Sequence, residues 1–212
     1  MVVKICGITR AHDAKLAYYR GADLLGLIFH PASPRFCGIG AATEMLRSFP
    51  DYPWVFVFSY DDANYIQEIR KKFSAVDAKI QIPATHRYLK NLVSDAGYEN
   101  VIPVVGVQNS FEHDFLDPFS AFSLIVLDTA VRGDDGRQKP GPDDKFTRHL
   151  IKGIKRPHLL TGGLTPDNLE GVICDAEPYG VDVAGGIEKS SGIKDDVQLE
   201  KFMRIAKKGR GF

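Results

Sequence analysis

Eight short apolar runs recur along the chain, at residues 2–5, 24–29, 54–58, 78–82, 101–107, 124–128, 158–160 and 180–184, and each is followed by a stretch that can be helical. The run Leu24-Leu25-Gly26-Leu27-Ile28-Phe29 is almost continuously apolar. That suits a strand buried on both faces, as in a parallel sheet. Helices are expected over 11–20, 40–48, 61–73, 88–96, 111–119, 145–153, 165–173 and 196–207. Over 61–73, Ile66, Ile69 and Phe73 share one face; over 196–207, Leu199, Phe202, Ile205 and Ala206 do. Gly21 stops the first helix, as a glycine just past a helix end does. Strand–helix alternation implies a parallel sheet. Eight such units in 212 residues predict a single-domain (β/α)8 TIM barrel over residues 1–212. An open doubly wound sheet is the alternative, but it usually has fewer strands, and no GxGxxG follows the first strand. Pro103 is awkward within the fifth strand.

Lys plus Arg balance Asp plus Glu, so formal net charge is zero and the basic excess of a general nucleic-acid binder is absent. No nucleic-acid partner is expected. Neither is a membrane one, since no apolar run is long enough to span a bilayer and no leader pattern opens the chain. Cys6, Cys37 and Cys174 show neither disulfide nor zinc spacing, which fits a reducing cytoplasm. The six histidines are scattered, so no metal and no cofactor are expected. Cys37 and Cys174 carry no assignable role. A monomer or a homodimer is the expected state.

The first strand ends on Cys6-Gly7-Ile8-Thr9, with Thr9 placed to cap the helix that begins near Arg10. Cys6 then sits at a carboxyl strand end, where α/β folds place their chemistry. The sixth strand ends in a carboxylate, Asp128. Gly162-Gly163 follows the seventh strand and Gly185-Gly186 the eighth. Glycine lets backbone N–H groups approach an anion, and barrels often build a phosphate site from these two loops. The expected ligand is a phosphorylated metabolite held near the N–H groups of Gly163 and Gly186. The loop 129–144, with three glycines and two prolines, is long enough to be functional or mobile.

Taken together, Lys4-Ile5-Cys6-Gly7-Ile8-Thr9, Gly21-Ala22-Asp23 with Gly26, Ser33-Pro34-Arg35, Leu127-Asp128, Gly162-Gly163-Leu164-Thr165-Pro166-Asp167-Asn168, Gly180-Val181-Asp182-Val183 and Gly192-Ile193-Lys194-Asp195 resemble, in order, the phosphoribosylanthranilate isomerase family of tryptophan biosynthesis. The resemblance spans essentially the whole chain. It implies an Amadori rearrangement of a phosphosugar, an aldose–ketose isomerisation. It also implies Asp128 as general acid, Cys6 as general base and Arg35 as partner of the anthranilate carboxylate. Gly162, Gly163, Asp182, Gly185 and Gly186 would contact substrate. Such roles require the Asp128 carboxyl to move up by burial and the Cys6 thiol to move down through cationic or hydrogen-bonding neighbours.

The departures are specific. Where the family carries Gln-Leu-His-Gly after the fourth strand, this chain has Gln81-Ile82-Pro83-Ala84, and His86 lies too late to be assumed equivalent. A family Ser-Ser-Gly at the eighth strand becomes Ala184-Gly185-Gly186. The stretch after the sixth strand keeps Phe146 but has no Trp. A barrel enzyme acting on another aminated phosphosugar, or a non-catalytic phosphometabolite-binding relative, therefore stands as the alternative.

Overall fold

The computed structural model describes residues 1–59, 61–107, 115–132, 138–139 and 151–208. Eight parallel strands close into a barrel: β1 Val2–Ile5, β2 Leu24–Ile28, β3 Trp54–Val57, β4 Lys79–Pro83, β5 Val101–Gly106, β6 Ile125–Asp128, β7 His158–Thr161 and β8 Gly180–Val183. Each strand pairs with its neighbours in sequence, and β8 returns to β1 in the register Val2↔Gly180 through Ile5↔Val183. The sequence expectation of a TIM barrel is met.

Period-2 alternation divides each strand between two cores. Leu24, Val55, Ile102, Val126 and Leu159 form one buried cluster that fills the barrel. A larger cluster, including Ile5, Leu25, Leu27, Phe56, Ile80, Leu127 and Leu160, packs the outer strand faces against the helices. This double burial is why the strands read as continuous apolar runs. The helices are α1 Ala11–Tyr19, α2 Ile39–Ser48, α3 Ala63–Lys72, α4 Leu89–Ala96, α5 Leu169–Ala176 and α6 Asp196–Ala206. Asp62 caps α3 by accepting from Asn64 N at 2.8 Å, and Asp195 caps α6 through Val197 N and Gln198 N. Pro103 is tolerated because the β5–β6 pairing begins only at Val104, leaving residue 103 in register with β4 alone.

Several local expectations are corrected. Thr9 does not cap α1: the helix starts at Ala11 without a side-chain cap, and Thr9 Oγ1 instead donates to Gly192 O. A carbonyl 183 positions away outcompetes the local N–H. Between β5 and β6 the described residues form only a 3-10 turn at Asp117–Phe119, because Pro118 supplies no N–H; residues 108–114 lie outside those described. The helix after β7 begins at Leu169, not Thr165. Residues 165–168 instead close a turn in which Thr165 N donates to Asn168 Oδ1 at 2.8 Å. The stretch after β6 carries a ribbon, Val131–Arg132 antiparallel to Gln138–Lys139. Residues 133–137 and 140–150, with Phe146 and most of the expected next helix, lie outside the described residues.

Among the described residues, no helix is long and apolar enough to cross a membrane.

Candidate active site

The inward row of each strand continues past the barrel core to its carboxyl end. Two residues beyond Lys4 comes Cys6, two beyond Val126 comes Asp128, and two beyond Gly180 comes Asp182. All three line one cavity of about 400 Å³ at that end, together with Gln81, Arg35 and the loops after β7 and β8. The structure thus brings together every residue singled out from the sequence: Cys6, Arg35, Asp128, Gly162, Gly163, Asp182, Gly185 and Gly186.

The two glycine loops need glycine for different reasons. Gly162 and Gly163 adopt φ of 117° and 62°, a region that L side chains rarely enter. A Cβ on Gly162 would also meet Thr129 Oγ1 at 2.5 Å. At Gly186 the constraint is closeness: a Cβ there would fall on the Leu164 carbonyl oxygen. The loops after β7 and β8 are therefore in direct backbone contact. Thr161 O, at the end of β7, accepts from Thr129 Oγ1 at 2.8 Å and so ties in the chain after β6.

Arg35 reaches the cavity through a slot cut by two further glycines. Ser33 Oγ accepts from Arg35 N at 3.1 Å, which fixes the turn after β2. The aliphatic stem then crosses Gly7, where a Cβ would lie 2.6 Å from Arg35 Cδ. The guanidinium passes Gly185, where a Cβ would lie 2.8 Å from Nη2. It ends on Glu188, a residue the sequence reading missed. Nε stands 3.0 Å from both Glu188 oxygens. Glu188 also holds Lys194, whose buried ammonium is 2.8 Å from Oε1, 2.6 Å from Cys6 O and 3.1 Å from Ala184 O. The signal was present in the sequence as the Gly-x-Lys-Asp stretch, but nothing there placed that lysine beneath the site.

Electrostatics correct one expectation. Burial pushes the Cys6 thiol above its ordinary value, and the Lys4 and Lys194 cations pull it back only in part. Lys4 itself is buried at the barrel centre, 2.8 Å from Asp182 Oδ2. Burial pulls its ammonium down, but Asp182 and Cys6 more than offset that and hold it above its usual value. Asp128 Oδ1 accepts from Ala130 N at 2.9 Å, which orients the carboxyl at the end of β6. Two buried oxygens, Asp182 Oδ1 and Gln81 Oε1, have no hydrogen-bond partner within the protein among the described residues. Both residues line the cavity.

His86 does not stand in for the missing histidine after β4. Its Nε2 lies 2.9 Å from Asp61 O and its Nδ1 accepts from Tyr88 N at 3.1 Å. The ring locks the loop before α3 to the turn before α4, away from the cavity.

The chain that carries this cavity is similar to known proteins in sequence and in fold. The family model described as N-(5'phosphoribosyl)anthranilate (PRA) isomerase matches residues 3–204. The chain belongs to that isomerase family. A relative from Stutzerimonas stutzeri, named N-(5'-phosphoribosyl)anthranilate isomerase, is 34% identical over 210 residues, covering 95% of this chain and 94% of its own. Another of the same name from Pseudomonas fluorescens is 32% identical over 215 residues, covering 97% and 95%. The solved phosphoribosyl anthranilate isomerase of Thermotoga maritima superposes with a TM-score of 0.81 at 28% identity, covering 98% of this chain and all of its own. A solved phosphoribosyl anthranilate isomerase in complex with reduced 1-(o-carboxyphenylamino)-1-deoxyribulose 5-phosphate gives a TM-score of 0.77 at 28% identity, covering 98% of this chain and 100% of its own. The family match thus extends over nearly the whole barrel.

Proposed function

We propose that this chain converts N-(5'-phosphoribosyl)anthranilate to 1-(2-carboxyphenylamino)-1-deoxyribulose 5-phosphate, an intramolecular oxidation–reduction of the aldose–ketose type. One observation carries the reading: Cys6 and Asp128 share a single cavity with both glycine loops. In this reading Asp128, protonated, delivers its proton to the ribose ring oxygen as the C1–O bond breaks and the anilino nitrogen lone pair forms the iminium. Cys6 then removes the C2 proton, and the released electron pair neutralises the iminium to an enolamine. Gain of a proton at C1 and loss of the C2 hydroxyl proton complete the ketone. The iminium cation formed beside Cys6 favours the thiolate that burial disfavours. The substrate phosphate sits on the loops of Gly163 and Gly186, and Arg35 takes the carboxylate.

Pro83, in the place of the family histidine, supports a second reading in which the same acid and base act on another aminated phosphosugar. Complementation separates the two. Under the first reading the chain restores growth without tryptophan to an auxotroph lacking this isomerase, and C6S does not. Failure of the well-expressed wild-type chain to restore growth rejects that reading.

A further inference from the structure

Two lysines are buried beside the base, and lysine is almost never fully buried unless paired. Lys194 is accounted for: its three N–H groups meet Cys6 O, Ala184 O and Glu188, so it ties the end of β1 to the turn after β8. Lys4 is different. It stands two residues before Cys6 on the same inward row and donates to Asp182 Oδ2 at 2.8 Å. Gly26, on the neighbouring strand, leaves the space for this arrangement. A Cβ there would lie 2.8 Å from Cys6 Sγ and 3.3 Å from Lys4 Nζ. A glycine inside a buried strand weakens it, so its presence marks a close approach.

We propose that Lys4, clamped by Asp182, is a positioning residue whose ammonium shares the space over Gly26 with the Cys6 sulfur and stabilises the thiolate form. This rests on the reading of Cys6 as base. The charged groups facing the sulfur are Lys4 on its own strand, Asp182 on β8 and Lys194 after β8, with Asp128 across the cavity; Gly26 on β2 brings none. Lys4 and Asp182 act on the thiolate with opposite signs. The ammonium attracts it, while the carboxylate repels it and shares the ammonium's hydrogen bonds. Lys194 has its donors committed to Cys6 O, Ala184 O and Glu188, whereas Lys4 donates to Asp182 Oδ2 alone beside the sulfur, so the larger effect on the thiolate is assigned to Lys4.

The thiolate can be read without any substrate by its alkylation with iodoacetamide across pH, following the Cys6 peptide by mass spectrometry so that Cys37 and Cys174 do not contribute. Lys4→Met slows Cys6 alkylation near neutral pH by about tenfold or more, tenfold being the effect of one pH unit in thiol pKa. Asp182→Asn, which removes the anion and keeps the ammonium, speeds it. A general loosening of the site would speed both, so opposite signs separate electrostatics from packing. Rates equal to wild type in both variants, or raised in both, overturn the proposal. So does a wild-type Cys6 that resists alkylation throughout. Should Lys4→Met fail to fold, the double variant Lys4→Met/Asp182→Asn, which removes both buried charges, is compared with Asp182→Asn: slower alkylation in the double variant supports the proposal, equal or faster alkylation overturns it. Opposite alkylation effects in a chain with no isomerase turnover would reject the proposed function and leave the Lys4–Cys6 coupling standing.

Discussion

The Arg35 guanidinium lies side-on against Glu188, with Nε 3.0 Å from both carboxylate oxygens and Nη2 2.9 Å from Oε2. Its side edge is committed to the protein; under the proposed function the end carrying Nη1 and Nη2 takes the substrate carboxylate. Removing this charge-assisted contact by Arg35→Ala is expected to cost on the order of 2–4 kcal/mol in kcat/KM. Arg35→Lys recovers only part, because an ammonium cannot hold Glu188 and a second carboxylate in one plane. Kinetics with substrates that carry or lack the ortho carboxylate check this. Equal rates on both, unchanged in Arg35→Ala, would place Arg35 outside recognition.

Glu188 bears two cations, and its own side chain is 3% exposed while that of Lys194 is 0% exposed. Glu188→Gln leaves a buried ammonium without its counter-ion. A loss of about 3–5 kcal/mol of folding stability is expected, together with a raised KM from a loosened Arg35. Urea denaturation measures the first effect. A midpoint within error of wild type would contradict the buried pairing.

Cys6→Ser preserves size and the backbone bond from Cys6 N to Val183 O at 2.8 Å, so folding should be unaffected. Turnover should fall by about 10²–10⁴, the range for losing a positioned base. Near-normal kcat in both Cys6→Ser and Cys6→Ala would remove Cys6 from the mechanism.

Gly186→Ala forces a methyl group onto the Leu164 carbonyl and must push the two loops apart. The expected result is a sharply raised KM with kcat less affected. Inorganic phosphate should raise Tm for the wild type and do so less for the variant, as binding to the native state alone requires. Equal phosphate shifts in the two proteins would move the anion site elsewhere.

The barrel was legible because double burial writes each strand as an apolar run, and Cys6 and Asp128 were legible because both stand at strand ends. The loop glycines were visible as pairs, although only the coordinates separate Gly162, needed for its φ, from Gly186, needed for closeness. What stayed hidden shares one cause. Lys4, Lys194 and Thr9 find partners 178 to 188 residues away; in sequence the two lysines carry no assigned role and Thr9 reads as a helix cap. The same cause misled the expectation for Cys6. Its cationic neighbours exist, but local sequence does not reveal how completely the barrel dries the thiol.

His158 opens β7 buried, with Nδ1 2.9 Å from Arg156 O and no partner for Nε2 within the protein among the described residues. Burial holds its imidazole below the ordinary value of 6.5. The unfolded chain therefore binds a proton before the folded one does. Folding stability is fully present above that ordinary value and falls as pH drops through it toward the folded-state value. His158→Leu should flatten this dependence between about pH 7 and 5. Parallel pH–stability curves for the two proteins would assign the acid sensitivity to other groups.

The register Lys4↔Asp182 joins the first strand to the last, whereas Lys4↔Leu24 joins it to the next. Closing that far longer loop carries an entropic disadvantage of about 2 kcal/mol over the near one. The slowest contact to find is thus the one on which the surroundings of Cys6, the lysine beneath it and the Glu188–Lys194 pair all depend. A slip of one residue at this seam would turn Lys4 out among the helices. A ribosome-bound chain short of residue 183 leaves the β1 edge without its β8 partner and lacks Gly185, Gly186, Glu188 and Lys194, so the site is completed only with the last strand and the turn after it.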